Sequence, residues 1–327
     1  MIPKGAPTVA EWFQDKRWVY SITFDEALAD LHRFAIPILQ AAGVPGHVEV
    51  VVGQLGQVRN LPGSSYNGFR HMNAAELREL LAMGWGVGNH SWSHDRVNAA
   101  NAPLELDRAK AVLEEAIGDP VSIYCSPCNN SNMNPEALAA CRRLGYLGAM
   151  SATDALNRPG DADLLWLNRT FLHTQGYEPF FNEFDPWRNL QHAQHDRGWL
   201  IDYCHCPLEQ PVHPNKDCSE AQMRRRIETV CREGGDEVWL ARVEDAMDYR
   251  YTRRSAAIAP GAAPGEFRVS APGLPAAVRR RVLTLRLPAG TTGVTVDGTG
   301  VLPRAGREGA TIEVDVSRLR ALRLRGD

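Results

Sequence analysis

The chain has 327 residues, 44% of them hydrophobic and 23% charged, with a formal net charge of −3 at pH 7. This balance excludes disordered and fibrous chains and offers no general attraction to nucleic acid or to an anionic membrane surface. The charge is uneven: from Thr252 onward thirteen Arg, no Lys and six acidic residues give +7, so residues 1–251 carry −10. No run reaches the roughly 20 apolar residues that span a bilayer, and the opening MIPKGAPTVAEWFQDKRW has no signal-peptide core, which predicts a cytoplasmic protein unless a leader has been removed. Seven cysteines fit reduced thiols better than a disulfide framework.

In chain order, the strand-like runs are WVYSITF, HVEVVVG, GWGVGNHS, VSIYCSP, GYLGAM, LLWLNRTFL, GWLIDYCH and DEVWLARV. Helix-like segments lie between them at 27–42, 73–83, 104–117, 135–144 and 219–233. Asn73 and Asn134 read as N-caps, the second followed by Pro135 at the first helical position. Eight strand candidates with helical crossovers predict a parallel α/β architecture, a closed or nearly closed barrel ahead of a doubly wound open sheet. The stretch SAAIAPGAAPGE reads as a linker. Beyond it, Leu283, Leu285 and Leu287, then Val294 and Val296, then Ile312, Val314 and Val316 alternate with polar residues, the pattern of an antiparallel β-module. The predicted division is a (β/α) barrel over 1–254, a linker over 255–264 and a small β-rich domain over 265–327.

In parallel α/β folds functional residues lie at the C-terminal ends of strands. That rule selects Asp25 and Glu26, the segment 90–94 with His90 and His94, the segment 125–128, and His205. His90 and His94, four apart, would share one face of a helical turn and could ligate a metal, although the pair alone is weak evidence and reads more readily as a polar loop with stacked histidines. Asp25 and Glu26 after an apolar strand face a cleft or cap the next helix. Together, three histidines and two acids make a hydrolytic constellation in which a carboxylate and two histidines hold a metal, a second carboxylate takes a proton from water and a remote histidine protonates the leaving group.

TFDE (23–26), HSWSH (90–94), YCSPCN (124–129) and DYCHC (202–206), in this order, resemble the motifs of the polysaccharide deacetylases, the NodB-homology fold of carbohydrate esterase family 4. The resemblance covers roughly residues 15–252 and implies a distorted (β/α) barrel of about seven strands. It implies Asp25 as general base, His205 as general acid, Glu26, His90 and His94 as ligands of a divalent metal, and the Cys128 N–H as an oxyanion donor. Zinc is the expected ion, with cobalt, nickel or manganese as alternatives. Two positions depart from the family pattern: its second aspartate is Glu26 here, and its motif-three arginine is Cys125. Asp25 then needs another partner, for which Arg169 in LNRTF is the candidate. Tyr124 and Trp187 are further candidates for substrate contact or orientation.

Cys204 and Cys206 alternate with His205 and should point away from the site, and the cysteines in general are expected to be buried free thiols. The segment 174–198 is long for a barrel connection, and its Tyr177, Phe180, Phe181, Phe184 and Trp187 suit either sugar contact or loop packing. Trp92 reads as a packing support. The leading expectation is a metal-dependent deacetylase of an N- or O-acetylated carbohydrate, with no nucleic-acid or membrane partner and a homo-oligomer left open. The alternatives are an amidohydrolase of the same fold that opens a cyclic amide or ureide, and a non-catalytic carbohydrate-binding protein with a decayed site.

Overall fold

The run WVYSITF and the aspartate that follows it form strand β1 (Trp18–Asp25), buried at every position because both faces of the sheet are covered. The structure, a computed structural model, describes residues 5–60, 64–161, 163–176 and 183–326; Tyr177, Phe180 and Phe181 lie outside these. Along the main path of the same sheet the other strands are β2 (Gly46–Val50), β3 (Gly86–Asn89), β4 (Ile123–Cys125), β5 (Gly148–Met150), β6 (Thr170–Phe171) and β7 (Trp199–Cys204). The seven are parallel, in the spatial order β5-β4-β3-β2-β1-β7-β6, and curl into a half-barrel. Of the long run LLWLNRTFL only Thr170–Phe171 is strand.

The crossover helices follow their sequence signals. Asn73 caps Ala74–Ala82 in a reciprocal capping box with Glu76, Asn134 caps Pro135–Arg143, and Ser219 caps Glu220–Gly234. The helix expected over 27–42 is two short ones, Leu31–Phe34 and Ile36–Ala42, because Glu26 and Ala27 take left-handed backbone and Pro37 follows Ile36 at the second start. The segment expected as one helix over 104–117 starts as a π-helical stretch, Pro103–Arg108, and becomes α-helical at Ala109–Ile117.

The chain packs as two units. One comprises residues 20–235 and 240–244; the other comprises 1–19, 236–239 and 245–327. The first holds the parallel sheet. Within it Ala241 N–H donates to the Tyr20 carbonyl at 2.9 Å, so the chain returns to β1 after the helix Glu220–Gly234.

The second unit contains two antiparallel sheets. Val282–Arg286 pairs with Gly309–Asp315, setting Leu283 opposite Val314 and Leu285 opposite Ile312, as the alternation predicts. Thr8–Val9, from the start of the chain, adds to the edge of this sheet beside Val282–Arg286. The stretch read as a linker holds a strand, Ala257–Pro260, antiparallel to Glu266–Ser270. Its Ala and Pro content hid an exposed edge strand, where Pro is tolerated. Among the described residues, no helix is long and apolar enough to cross a membrane.

Candidate active site

The register of the parallel sheet aligns the ends of its central strands: Asp25 lies opposite Glu49, and Glu49 opposite Gly88. Space for this alignment comes from glycine. A Cβ at Gly88 would lie 2.0 Å from Glu49 Oε2, and one at Gly86 would lie 2.2 Å from His47 Cδ2. The glycines before the histidine motif therefore make room for two buried polar side chains of the neighbouring strand. Those side chains form a buried network, with His47 Nδ1 2.6 Å from Glu49 Oε1 and Nε2 3.1 Å from Glu244 Oε1. Burial alone would lower the His47 pKa, but the two carboxylates outweigh it and push it up to about 10.

Beyond the strand ends the backbone bends sharply. Glu26, Ala27, Tyr66, Ser91, His94 and Cys128 all have φ between 49° and 70°. Such left-handed non-glycine residues gather where surrounding structure holds a functional geometry. His90 and His94 converge through this bent loop, not through a helical turn, with ring centroids 5.0 Å apart.

Asp25, the last residue of β1, is buried and gripped by Arg169, whose Nη1 and Nη2 lie 2.6 and 3.2 Å from its two carboxylate oxygens. Arg169 is itself fixed by a bond from Nε to the Ser151 carbonyl at 3.0 Å and by stacking 4.0 Å from the Tyr203 ring centroid. Cys125 adds a thiol 3.6 Å from Asp25 Oδ1. Burial would raise the Asp25 pKa, but Arg169 and the nearby His90 and His205 overcome it and hold the carboxyl far below its usual range. Glu26 differs: burial outweighs its ion pair with Arg59 (2.6 Å) and raises its pKa to about 7.

His90 Nδ1–H donates to the Cys125 carbonyl at 3.1 Å, which leaves Nε2 facing Asp25 Oδ2 at 4.0 Å. His94 Nε2 lies 3.9 Å from Glu26 Oε1, and the Cys128 thiol sits 3.7 Å from His94 Nδ1. His205 Nδ1–H donates to the Lys216 carbonyl at 3.2 Å, and the ring stacks on Tyr66 at 5.1 Å. Asp217 locks the same turn, accepting from the His205 and Cys206 N–H groups at 2.6 and 2.8 Å and from the Tyr66 hydroxyl at 2.6 Å. Burial is the main cause that lowers the pKa of all three histidines, to about 4 for His205. Asp25, Glu26, His90, His94, Cys128 and His205 open on one cavity of about 70 Å³, together with Arg169, Lys216 and His173.

Two candidates fall elsewhere. Tyr124 is wholly buried, its hydroxyl donating to the Asn132 carbonyl at 3.2 Å, so it supports the core. Trp187 is outside the cavity lining, with the Arg232 guanidinium 5.8 Å from its ring. Trp92 has the Arg108 guanidinium 4.7 Å from its ring and also lines a groove with Gln54, Gln57 and Asp95. Among the cysteines, Cys204 and Cys206 are buried free thiols, whereas Cys128 is exposed. Arg59, Tyr66, Lys216 and Asp217 carry no motif signal; only the glutamate at position 26 hinted that its partner had changed.

Glu26, His90 and His94 line one cavity, but they fit a divalent ion poorly as a ligand set. His90 is oriented as a ligand would be, its other nitrogen tied to a carbonyl. Glu26 is not available in the same way, because Arg59 already neutralises it. Among the described residues, the group of three whose ligand atoms all lie within 4.8 Å of one another is Asp25, His90 and Cys125. That group is also committed, since Asp25 carries Arg169 and burial pushes the Cys125 thiol pKa well up, away from the thiolate a metal needs.

The fold is a (β/α) half-barrel with acids and histidines gathered at its strand ends. The family model described as polysaccharide deacetylase matches residues 14–149, so this segment is similar to the polysaccharide deacetylases. No curated protein matches the chain. Among solved structures it is similar to Streptococcus pyogenes deacetylase PplD in complex with acetate, at 20% identity and TM-score 0.39 over 46% of this chain and 62% of the other. IcaB from Ammonifex degensii aligns at 23% identity and TM-score 0.40 over 46% and 66%. The chain thus spans less than two thirds of either. PuuE allantoinase aligns at 13% identity and TM-score 0.51 over 74% of this chain and 93% of the other, a likeness of fold.

Proposed function

We propose that the chain is a hydrolase that removes acetyl groups from an N- or O-acetylated carbohydrate, with Asp25 as base and His205 as acid. One observation carries this reading: Asp25, His90, His94 and His205 open on a single small cavity, the first three within the segment matched by the deacetylase family. A volume of about 70 Å³ corresponds to roughly two waters, enough for an acetyl carbonyl and its attacking water but not for a sugar ring. The sugar would lie outside, toward a neighbouring groove of about 410 Å³ lined by Gln54, Gln57, Asn60, Trp92 and Asp95, a size ordinary for ligand sites.

Asp25, ionised at any working pH, polarises the attacking water and takes its proton. The hydroxide adds to the acetyl carbon, and the Cys128 N–H faces the oxyanion. His205 is neutral at rest and presents an Nε2 lone pair. The proton taken from water is relayed to this nitrogen, helped by the Asp25 charge, and is returned to the amine or alcohol as the tetrahedral adduct collapses. The divalent ion implied by the resemblance, zinc first, enters none of these steps, because Arg59 engages Glu26.

The test is acetate release from acetylated chito- and xylo-oligosaccharides. Asp25→Asn and His205→Ala should each lower the rate about 10²- to 10⁴-fold with substrate binding retained. Sugar binding unaffected by either substitution, with no acetate from any substrate, would sink the reading in favour of a non-catalytic binder. The likeness of fold to PuuE allantoinase keeps a second reading, opening of a cyclic amide or ureide; acid formed from such a ring without acetate release would establish it.

A further inference from the structure

Arg59 lies outside every motif of the sequence, yet it is among the most firmly held side chains near the site. It is only 5% exposed. Its Nε donates to Gln54 Oε1 at 3.1 Å, its Nη1 to the Ser65 carbonyl at 2.9 Å, and its Nη2 meets Glu26 Oε2 at 2.6 Å. Its backbone is fixed too, with N–H donating to the Phe69 carbonyl and the Arg59 carbonyl accepting from Gly68, both at 2.8 Å. All three guanidinium nitrogens are therefore engaged, and the side chain is anchored independently of the acid it neutralises.

We propose that Arg59 is the resident cation of this site, standing at Glu26 where a metal ligand would meet its ion, so that the chain retains no divalent metal through Glu26, His90 and His94. Glutamate is the acid that permits this arrangement: its extra methylene and left-handed backbone (φ 70°) turn the carboxylate to the guanidinium. The charges agree. The acids of the site are already partnered, Asp25 by Arg169 and Glu26 by Arg59, and Lys216 adds a further cation to the cavity lining. A divalent ion would have to displace or sit beside these fixed cations in a buried site, where unpaired charge is most costly. The histidines then remain as neutral acceptors for the attacking water, a role that needs their Nε2 atoms unligated.

The inference rests on the proposed function only for the location of the site, and its test needs no turnover. The full chain is loaded with excess zinc, dialysed, and its metal counted by mass spectrometry, beside Arg59→Gln and the double variant Arg59→Gln/His94→Ala. The expected result is below about 0.1 zinc per wild-type chain, about one in Arg59→Gln, and loss of that zinc in the double variant. About one zinc per wild-type chain, removed by His94→Ala, would overturn the proposal. Should Arg59→Gln fail to fold, the wild-type count with and without His94→Ala decides alone. If acetylated sugars prove to be substrates, chelator should change acetate release less than about twofold; loss with recovery on adding zinc would also overturn it. If no acetate is ever released, the deacetylase reading fails while the zinc count still judges Arg59.

Discussion

In the parallel half-barrel, charged side chains lie inside, paired with one another: Asp25 with Arg169, Asp202 with Arg226, and His47 between Glu49 and Glu244. In the antiparallel sheets of the other unit, the interior is a cluster of apolar side chains, among them Leu283, Leu285, Ile312, Val314 and Leu322, while arginines such as Arg304, Arg318 and Arg323 point outward into exposed pairs. An antiparallel sheet with one wet face sorts polar from apolar residues by alternation alone. A curled parallel sheet covered on both faces has no such outlet, and a charge at its strand ends survives only with a partner. The arginines of the tail named above are thus in solvated pairs, whereas a few buried arginines of the half-barrel, among them Arg59, Arg169 and Arg226, are paired inside it.

This contrast can be broken, and the largest effect should come from Arg169→Ala. Leaving Asp25 buried without its guanidinium should cost about 3–5 kcal/mol in urea unfolding and abolish activity; a cost below about 1 kcal/mol would mean that the pair is not what holds that strand end. Next comes pH. Because the folded His47 pKa stands near 10, above the ordinary value of 6.5, folding takes up a proton between those limits. Its stabilisation is full below pH 6.5 and is lost as pH rises through 10, on the order of a few kcal/mol, and His47→Gln should flatten this part of the profile. An unfolding midpoint that declines equally in the variant would remove His47 as the cause. Smallest is Arg304→Ala, which breaks an exposed pair with Glu313 and should leave the midpoint unchanged within error.

Much of the site was legible because strand ends can be read from sequence. WVYSITF followed by an acidic pair, and a glycine-rich strand followed by HSWSH, place Asp25, Glu26, His90 and His94 at one edge of a parallel sheet, where the structure has them. Arg169 was suggested by the need for a partner to Asp25, and the structure supplies the distance. Arg59, Tyr66 and Asp217 were not legible. They act through pairings 33, 139 and 12 positions away, to Glu26, His205 and again His205, and nothing in their immediate neighbours marks those separations. Tyr124 misled because it stands inside a motif while its side chain points into the core.

The sequence by itself determined a parallel α/β sheet, its capped helices, the antiparallel alternation near the end of the chain, and the set of acids and histidines at the strand ends, while the expected closed or nearly closed barrel is a curled half-barrel. Periodicity, capping and strand ends are local, and local patterns survive in a linear string. Only the tertiary structure decided that Thr8–Val9 joins the antiparallel unit, that the stretch read as a linker contains a strand, and that Glu26 faces an arginine. Each of these depends on which distant segment reaches a given edge or carboxylate, and that is fixed by packing across the fold.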